Sequence, residues 1–104
     1  HHICTDKNTT SDASGGPWTP LFEKIFSKAG MSLKNDPANL IRIRGHVGPH
    51  PEAYHQEVYE RVRDATSRCT TEVSCREKLT RELRNLAKKL STPGSRLRRL
   101  LTEE

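Results

Sequence analysis

Leucines recur at alternating spacings of four and three residues between Leu79 and Leu90. This spacing lines one face of an α-helix, so the sequence predicts a helix from about Glu72 to Leu90, capped by Thr70 or Thr71. The chain has 104 residues, of which 32% are hydrophobic, and this predicts one small domain with a modest core. The leucine face either packs against another helix of that domain or stays exposed as a docking face for a partner.

Three further helices are predicted from capping and spacing. Thr19 and Pro20 suit the start of a first helix, and Gly30 suits its end. A second helix runs from about Pro51 to Ser67, and Ser95 caps a short last helix. Two segments have strand character, 1–5 and 40–44, so the expected fold class is α+β and mainly helical.

Positive charge is concentrated in the last third of the chain. The net charge is +5, and nine lysines and arginines stand against two acids between Arg76 and Arg99. A basic stretch raises the local concentration of polyanions and speeds their capture. A solubilising helix surface has the same composition, so charge alone leaves both interpretations open.

The three cysteines leave two alternatives open. Cys69 and Cys75 can close a small disulfide loop in an oxidising compartment, or they can be free thiols. The absence of a C-x2-C repeat argues against a thiolate zinc site. No apolar run approaches the roughly 18 residues of a membrane-spanning helix. The chain starts without Met, so we expect it to be a piece of a longer or processed protein.

All five histidines lie in the first 55 residues of the chain: His1, His2, His46, His50 and His55. Imidazole is the commonest metal ligand and the commonest general base near neutral pH. His46 and His50 are four residues apart, which places two ligands on one helical face. Pro49 between them is tolerated only in a first helical turn, so we expect a turn that enters the second helix.

Each of these residues also has an ordinary structural explanation. The first two histidines can be the remnant of a purification tag, and His46 alone is more often a turn residue than a ligand. His55 alone is more often a packing or surface histidine, and Asn39 before a strand is more often a turn or cap residue. The ordered set of His-His, then Asn, then His-x3-His at a helix entrance favours a functional site.

This ordered set resembles a known family. The segments 1–3, 39–41, 45–51, 54–55 and 58–59 resemble the nuclease toxins of the His-Asn-His/endonuclease VII superfamily, in the subgroup named for an Ala-His-His motif. The segments 15–20 and 29–33 are similar to the C-terminal domains of a myxobacterial lipoprotein toxin family. The resemblance covers about residues 1–67, and the Ala of the family motif would precede His1.

The resemblance implies a ββα-metal core, in which a short two-stranded element and a helix surround one divalent cation. That core would comprise residues 1–67 with an inserted helix at about 20–29, followed by basic C-terminal helices over 68–104, all within a single nuclease domain 1–104. His2 takes the position of the general base, and Asn39 takes the position that orients the base through a hydrogen bond.

The resemblance also implies the ligands of the cation, which would be zinc, nickel or magnesium. His1 takes the position of the first ligand, and His46 and His50 resemble a metal-binding pair. His55 is a further candidate ligand.

The implied substrate is DNA in preference to RNA. The candidate phosphate contacts are basic residues of the second strand and the third helix: Arg42, Arg44, Arg76, Arg81, Arg84 and Lys88. A toxin nuclease implies a cognate immunity protein, which we expect to be acidic. We expect the domain to belong to a secreted or cell-surface lipoprotein toxin, to act in the cytoplasm of a recipient cell and to make no membrane contact itself. The alternative function is a non-catalytic nucleic-acid-binding module with a structural metal.

Overall fold

The computed structural model describes residues 2–9, 17–42 and 51–102. Four α-helices and one short 3₁₀ helix follow one another along these segments. They are α1 (Trp18–Lys28), the 3₁₀ helix Pro37–Asn39, α2 (Glu52–Ala65), α3 (Glu72–Leu90) and α4 (Arg96–Thr102). The mainly helical fold predicted from the sequence is confirmed for the described part of the chain.

The leucine stripe forms the buried face of α3. Thr71 caps the helix, because its hydroxyl accepts a hydrogen bond from the Ser74 amide at 3.1 Å. Every leucine from Leu79 to Leu90 on this face is fully buried. The interpretation of the stripe as an exposed docking face is therefore wrong, since the other helices of the same chain cover it.

Helix α1 begins at Trp18, two residues before the proline expected at its first position. A distant residue causes the difference: Asn8 accepts a hydrogen bond from the Trp18 amide through its side chain at 3.1 Å and from the Thr19 amide through its carbonyl at 3.0 Å. Thr19 is thus not a cap. Its hydroxyl donates to the Thr5 carbonyl at 3.0 Å and ties the N-terminal segment to the helix. Gly30, with φ of +66°, ends the helical segment as expected.

One hydrophobic core joins all four helices to the N-terminal segment. Ile3 and Cys4 are fully buried in it, although both lie outside any helix. The helices contribute large apolar side chains: Trp18, Phe22 and Phe26 from α1, Tyr54, Val58 and Val62 from α2, the α3 leucines, and Leu97 and Leu101 from α4. No described helix is both long and apolar enough to cross a membrane.

The expected two-stranded element is reduced to one contact in the described residues. His2 and Leu40 form an isolated antiparallel bridge, next to which the Ile3 amide donates to the Asn39 carbonyl at 2.8 Å. Beyond this point the Cys4 amide bonds a side chain rather than a neighbouring strand, so the ladder does not continue from Ile3 to Thr5. Residues 43–50, with the end of the second expected strand, lie outside the described residues. The ββα core is therefore not seen in the part that the structure describes.

A disulfide joins Cys69 to Cys75 across the turn between α2 and α3. The sequence left open whether these cysteines form a disulfide or stay free thiols, and the structure contains the disulfide. Cys4 is a free and buried thiol, and burial raises its pKa well above the usual range. The disulfide links the turn that follows α2 to the first turn of α3.

Reduction of this disulfide is expected to lower the free energy of unfolding by on the order of 2 kcal/mol, because a short closed loop restricts the unfolded chain. Chemical denaturation with and without dithiothreitol measures the effect. The double variant Cys69→Ala/Cys75→Ala is the control and should not respond to the reductant. An unchanged denaturation midpoint in the reduced parent protein would contradict the prediction.

Candidate active site

The described residues include about half of the predicted site. His2, Asn39 and His55 are described, whereas His1, His46 and His50 lie outside the described residues. Among the predicted phosphate contacts, Arg44 also lies outside them. The geometry that follows therefore concerns the proposed base, the asparagine and the start of α2.

Asn39 is a buried hydrogen-bonding centre for the N-terminal segment. Its side-chain carbonyl accepts from the Cys4 amide at 2.8 Å, and its side-chain NH₂ donates to the carbonyls of Cys4 at 3.0 Å and Leu33 at 2.8 Å. Both N–H groups of the amide are thereby used. Asn39 fixes the main chain two residues after His2, so any effect that it has on the imidazole is indirect.

Tyr54 ties the same segment to the first turn of α2. Its hydroxyl donates to the carbonyl of Ile3 at 2.7 Å, across 51 positions of sequence. Burial, with a smaller contribution from Cys4, raises the pKa of Tyr54, so the phenol keeps the proton that this hydrogen bond needs. The bond links the segment that carries His2, one residue before Ile3, to the first turn of α2.

The imidazole of His2 has a different partner on each ring nitrogen. Its Nε2 lies 2.8 Å from the carbonyl oxygen of Lys34. A carbonyl only accepts, so this nitrogen carries a hydrogen in the tautomer that we assign. Nδ1 is then the acceptor of a neutral ring, and it lies 3.5 Å from the Asp6 carboxylate. The side chain is 22% exposed, so part of it is in contact with solvent.

Sequence reasoning missed Asp6 and Lys34, which both contact His2. Asp6 stands four residues after His2, a spacing that could have drawn attention to it. Lys34 contributes its main-chain carbonyl, which any residue type carries, so no sequence signal exists for it.

His55 is buried against aromatic rings. Its ring centre lies 6.2 Å from that of Trp18 and 5.5 Å from that of Tyr54, and the residue is 4% exposed. Burial lowers the pKa of His55, while the charge of Glu52 acts in the opposite direction. Burial therefore favours the neutral imidazole, which is the form that binds a metal. The packing role is what the described contacts show, and the ligand role stays a prediction.

The described residues do not by themselves form a metal site. No group of three or more His, Cys, Asp or Glu side chains among them is arranged to hold an ion. Imidazoles, which zinc and nickel accept readily, are the donors that the prediction requires. His55 supplies one near the start of α2, and the Tyr54 hydrogen bond brings the segment that follows His1 to the same helix end. The described part is thus compatible with the predicted donor set, whose other members lie outside it.

The predicted phosphate contacts differ in whether other residues of the protein already bond their side chains. Arg76 donates to the Ala29 carbonyl at 3.1 Å and to Glu72 at 3.0 Å, so it links α3 to the end of α1. Arg81 and Arg84 are exposed and line a shallow cavity of about 370 Å³ on α3. Arg42 is exposed beside the His2–Leu40 bridge. Lys88 lies on α3 and lines a different and larger cavity.

A protein-family model matches residues 1–90 of the chain. Its description is a nuclease family of the HNH/ENDO VII superfamily with conserved AHH. The matched range extends through α3, beyond the residues 1–67 that carry the resemblance. No curated protein and no solved structure matches, so the similarity to myxobacterial lipoprotein toxins stays an expectation.

Replacing Asn39 with Ala is expected to destabilise the protein by on the order of 3 kcal/mol, because three buried main-chain groups lose their hydrogen-bond partner. Urea denaturation measures the change. Asn35→Ala is the matched control, since Asn35 is exposed on the same loop, and it should change stability by less than about 0.5 kcal/mol. Equal stability of the two variants would rule out the structural role assigned to Asn39.

Proposed function

Because the chain belongs to the AHH nuclease family of the HNH/ENDO VII superfamily, we propose that it is a metal-dependent endonuclease with His2 as its general base. The proposed substrate is a phosphodiester in DNA, in preference to RNA. The observation that carries the proposal is the accessible His2 ring, fixed at Nε2 by the Lys34 carbonyl. A general base needs this combination of an oriented ring and a nitrogen that can accept a proton.

The proposed reaction is in-line hydrolysis. Nδ1 of neutral His2 takes a proton from a water molecule, and the water oxygen forms a bond to phosphorus. The bond from phosphorus to the 3′ oxygen breaks, and that oxygen takes a proton from solvent. Asp6, 3.5 Å from Nδ1, is placed to stabilise the protonated ring that results.

The proposed metal ligands are His1, His46 and His50, with His55 as a further candidate. A bound divalent cation in such enzymes stabilises the negative charge that develops on the phosphate and the leaving oxygen. Burial lowers the pKa of His55, which favours the neutral form that ligation requires. We place the two-stranded element of a ββα core at the His2–Leu40 bridge and its helix at α2.

The orientation of α3 supports a path for nucleic acid beside this site. Arg76 and Thr80 of α3 contact Ala29 and Met31, in the loop between α1 and the 3₁₀ helix that carries Asn39. Arg81 and Arg84 are exposed on the same helix, and we propose that they bind backbone phosphates. Such contacts position the substrate and do not read its sequence.

The biological setting is also a proposal. We infer a toxin domain carried by a secreted or surface lipoprotein, active in the cytoplasm of a recipient cell and silenced in the producer by an immunity protein. The net charge of +5 favours an acidic surface on such an inhibitor.

His2→Ala is expected to lower the rate of plasmid cleavage by about 10²- to 10⁴-fold, which is the typical contribution of a general base. Cleavage of plasmid DNA and of RNA should be followed with Mg²⁺, Zn²⁺, Ni²⁺ or a chelator. Lys7→Ala, an exposed change on the same segment, is the control and should cleave at the parent rate.

Three outcomes would count against this proposal. Cleavage by His2→Ala at the parent rate would exclude His2 as the base. Undiminished cleavage in chelator would exclude the metal. Binding of DNA without cleavage under every metal condition would favour the non-catalytic binding module.

Tyr54→Phe is expected to destabilise the protein by about 1–3 kcal/mol, because the buried Ile3 carbonyl loses its donor. It should also lower the cleavage rate at temperatures where the variant is fully folded, since the segment next to His2 loses its link to α2. Tyr59→Phe is the matched control on the same helix, where the described contacts of the ring are with Trp18, Phe22 and Arg63. Equal cleavage rates for the two variants would show that this link does not position the base.

A further inference from the structure

A cavity of about 610 Å³ lies between α2, the second half of α3 and the turn that leads to α4. We call it the α2–α3 basic pocket and define it by its lining residues: Arg61, Glu82, Asn85, Lys88, Lys89, Thr92 and Ser95. Apart from Lys88, none of these residues was assigned a role in binding or catalysis above. The pocket shares no lining residue with the group around His2.

Hydrogen-bond donors dominate the pocket. Arg61, Lys88 and Lys89 bring three positive charges, and Asn85 adds an amide. The one carboxylate among the lining residues is Glu82. A concave surface with an excess of one sign of charge focuses the field and attracts the opposite sign.

Arg61 is held in place by an ion-pair group at the pocket edge. Its Nε lies 3.6 Å from Oε2 of Glu57, which is too long for a hydrogen bond, while the other oxygen of Glu57 accepts from Arg96 at 2.8 Å. Glu57 thereby links α2 to α4. This pairing leaves the guanidinium of Arg61 with donors that can serve a ligand.

Two buried polar atoms of the pocket lack hydrogen bonds within the described part of the chain. They are Nε of Arg61 and Oε2 of Glu82. Burial raises the pKa of Glu82, against the opposing effects of Arg61, Asn85 and Lys89. A carboxyl group that takes up a proton more readily than usual repels an incoming anion less than an exposed glutamate does.

We propose that the α2–α3 basic pocket binds a backbone phosphate of a nucleic-acid strand, at a distance from the bond that is cleaved. This inference rests on the proposed function. Guanidinium, ammonium and amide donors from two helices can surround the oxygens of one phosphate. A protein partner would instead need an interface that clears about 1,000 Å² of buried surface, whereas this site is a confined concavity.

The position of Arg61 predicts how long a substrate must be to reach the pocket. Arg61 follows Glu52, the first residue of α2, by nine positions. That separation is about 13–14 Å along the helix, or about four nucleotides at 3.4 Å each along a duplex strand. A strand with its scissile phosphate near the start of α2 would therefore reach the pocket only if it extended several nucleotides further.

The test measures binding of a fluorescent 12-nucleotide DNA strand by anisotropy in the presence of chelator, so that no cleavage is needed. Arg61→Gln and Lys89→Gln are expected to weaken binding roughly tenfold and to reduce the slope of log affinity against log salt by about one. Arg63→Gln and Lys24→Gln, exposed changes on α2 and α1, are the matched controls and should bind as the parent does. Equal affinities of the pocket and control variants would overturn the proposal.

A variant that is expected to strengthen binding distinguishes an effect on the pocket from a loss of the fold. Glu82→Gln removes the carboxylate from the pocket and is expected to strengthen binding of the same strand severalfold. Weaker or unchanged binding by Glu82→Gln would contradict the proposal. A 3-nucleotide strand should bind the parent and Arg61→Gln equally, and a difference as large as that for the 12-nucleotide strand would contradict the distance argument.

Competition distinguishes a phosphate from an acidic protein surface. Unlabelled 12-nucleotide DNA is expected to displace the labelled strand at far lower concentration than polyglutamate of equal charge. Equal displacement by polyglutamate would overturn the assignment to phosphate and favour an acidic protein as the occupant.

The assignment of the pocket and the proposed nuclease activity can fail separately. If Arg61→Gln binds as the parent does while cleavage still depends on His2, the pocket assignment alone is wrong. If binding depends on the pocket but no metal supports cleavage, the proposed nuclease activity alone is wrong.

Discussion

The position of the candidate base depends on one buried amide. Asn39 is fully buried and bonds the Cys4 main chain in both directions as well as the Leu33 carbonyl. A buried polar group without a partner costs more free energy than a normal hydrogen bond contributes. The three hydrogen bonds of Asn39 therefore favour a single conformation of this segment. The segment after His2 is therefore fixed from the interior of the protein, while the imidazole itself remains accessible.

This arrangement allows a small helical core to support a site on an irregular segment. Residues 3 and 4 have no helix of their own, yet both are fully buried. Tyr54 joins them to α2, and Thr19 with Asn8 joins the following residues to α1. Catalytic groups must be held within narrow geometric limits, and here side-chain hydrogen bonds to main-chain atoms provide what a longer strand ladder provides elsewhere.

The sequence predicted those elements whose signals are local. The leucine spacing and Thr71 predicted α3 with its observed bounds, and Ser95, whose hydroxyl accepts from the Arg98 amide at 3.1 Å, predicted the start of α4. The start of α1 was misplaced because its first amides are satisfied by Asn8, ten residues away. The site roles of His2 and Asn39 stay predictions. The partners that the structure gives them were not predicted, since a main-chain carbonyl such as that of Lys34 leaves no trace in sequence. The short strand ladder was overestimated because competition from the Asn39 side chain is visible only in three dimensions.

In the proposed function, the residues that carry out the chemistry are separate from those that capture the substrate. The segment that follows His2 is held mainly by hydrogen bonds to main-chain atoms that are buried or partly buried, so salt screens them little. The α2–α3 basic pocket and the exposed arginines of α3 are charges at or near the surface, and their effect falls with ionic strength. Changes in the first group should therefore act on the rate of the bound complex, and changes in the second on its formation. The pocket also holds two buried polar atoms whose hydrogen bonds are unmade among the described residues, at a cost to the folded state. A chain of this size tolerates such a cost because the disulfide and the continuous leucine face stabilise α3, the helix that carries most of the pocket.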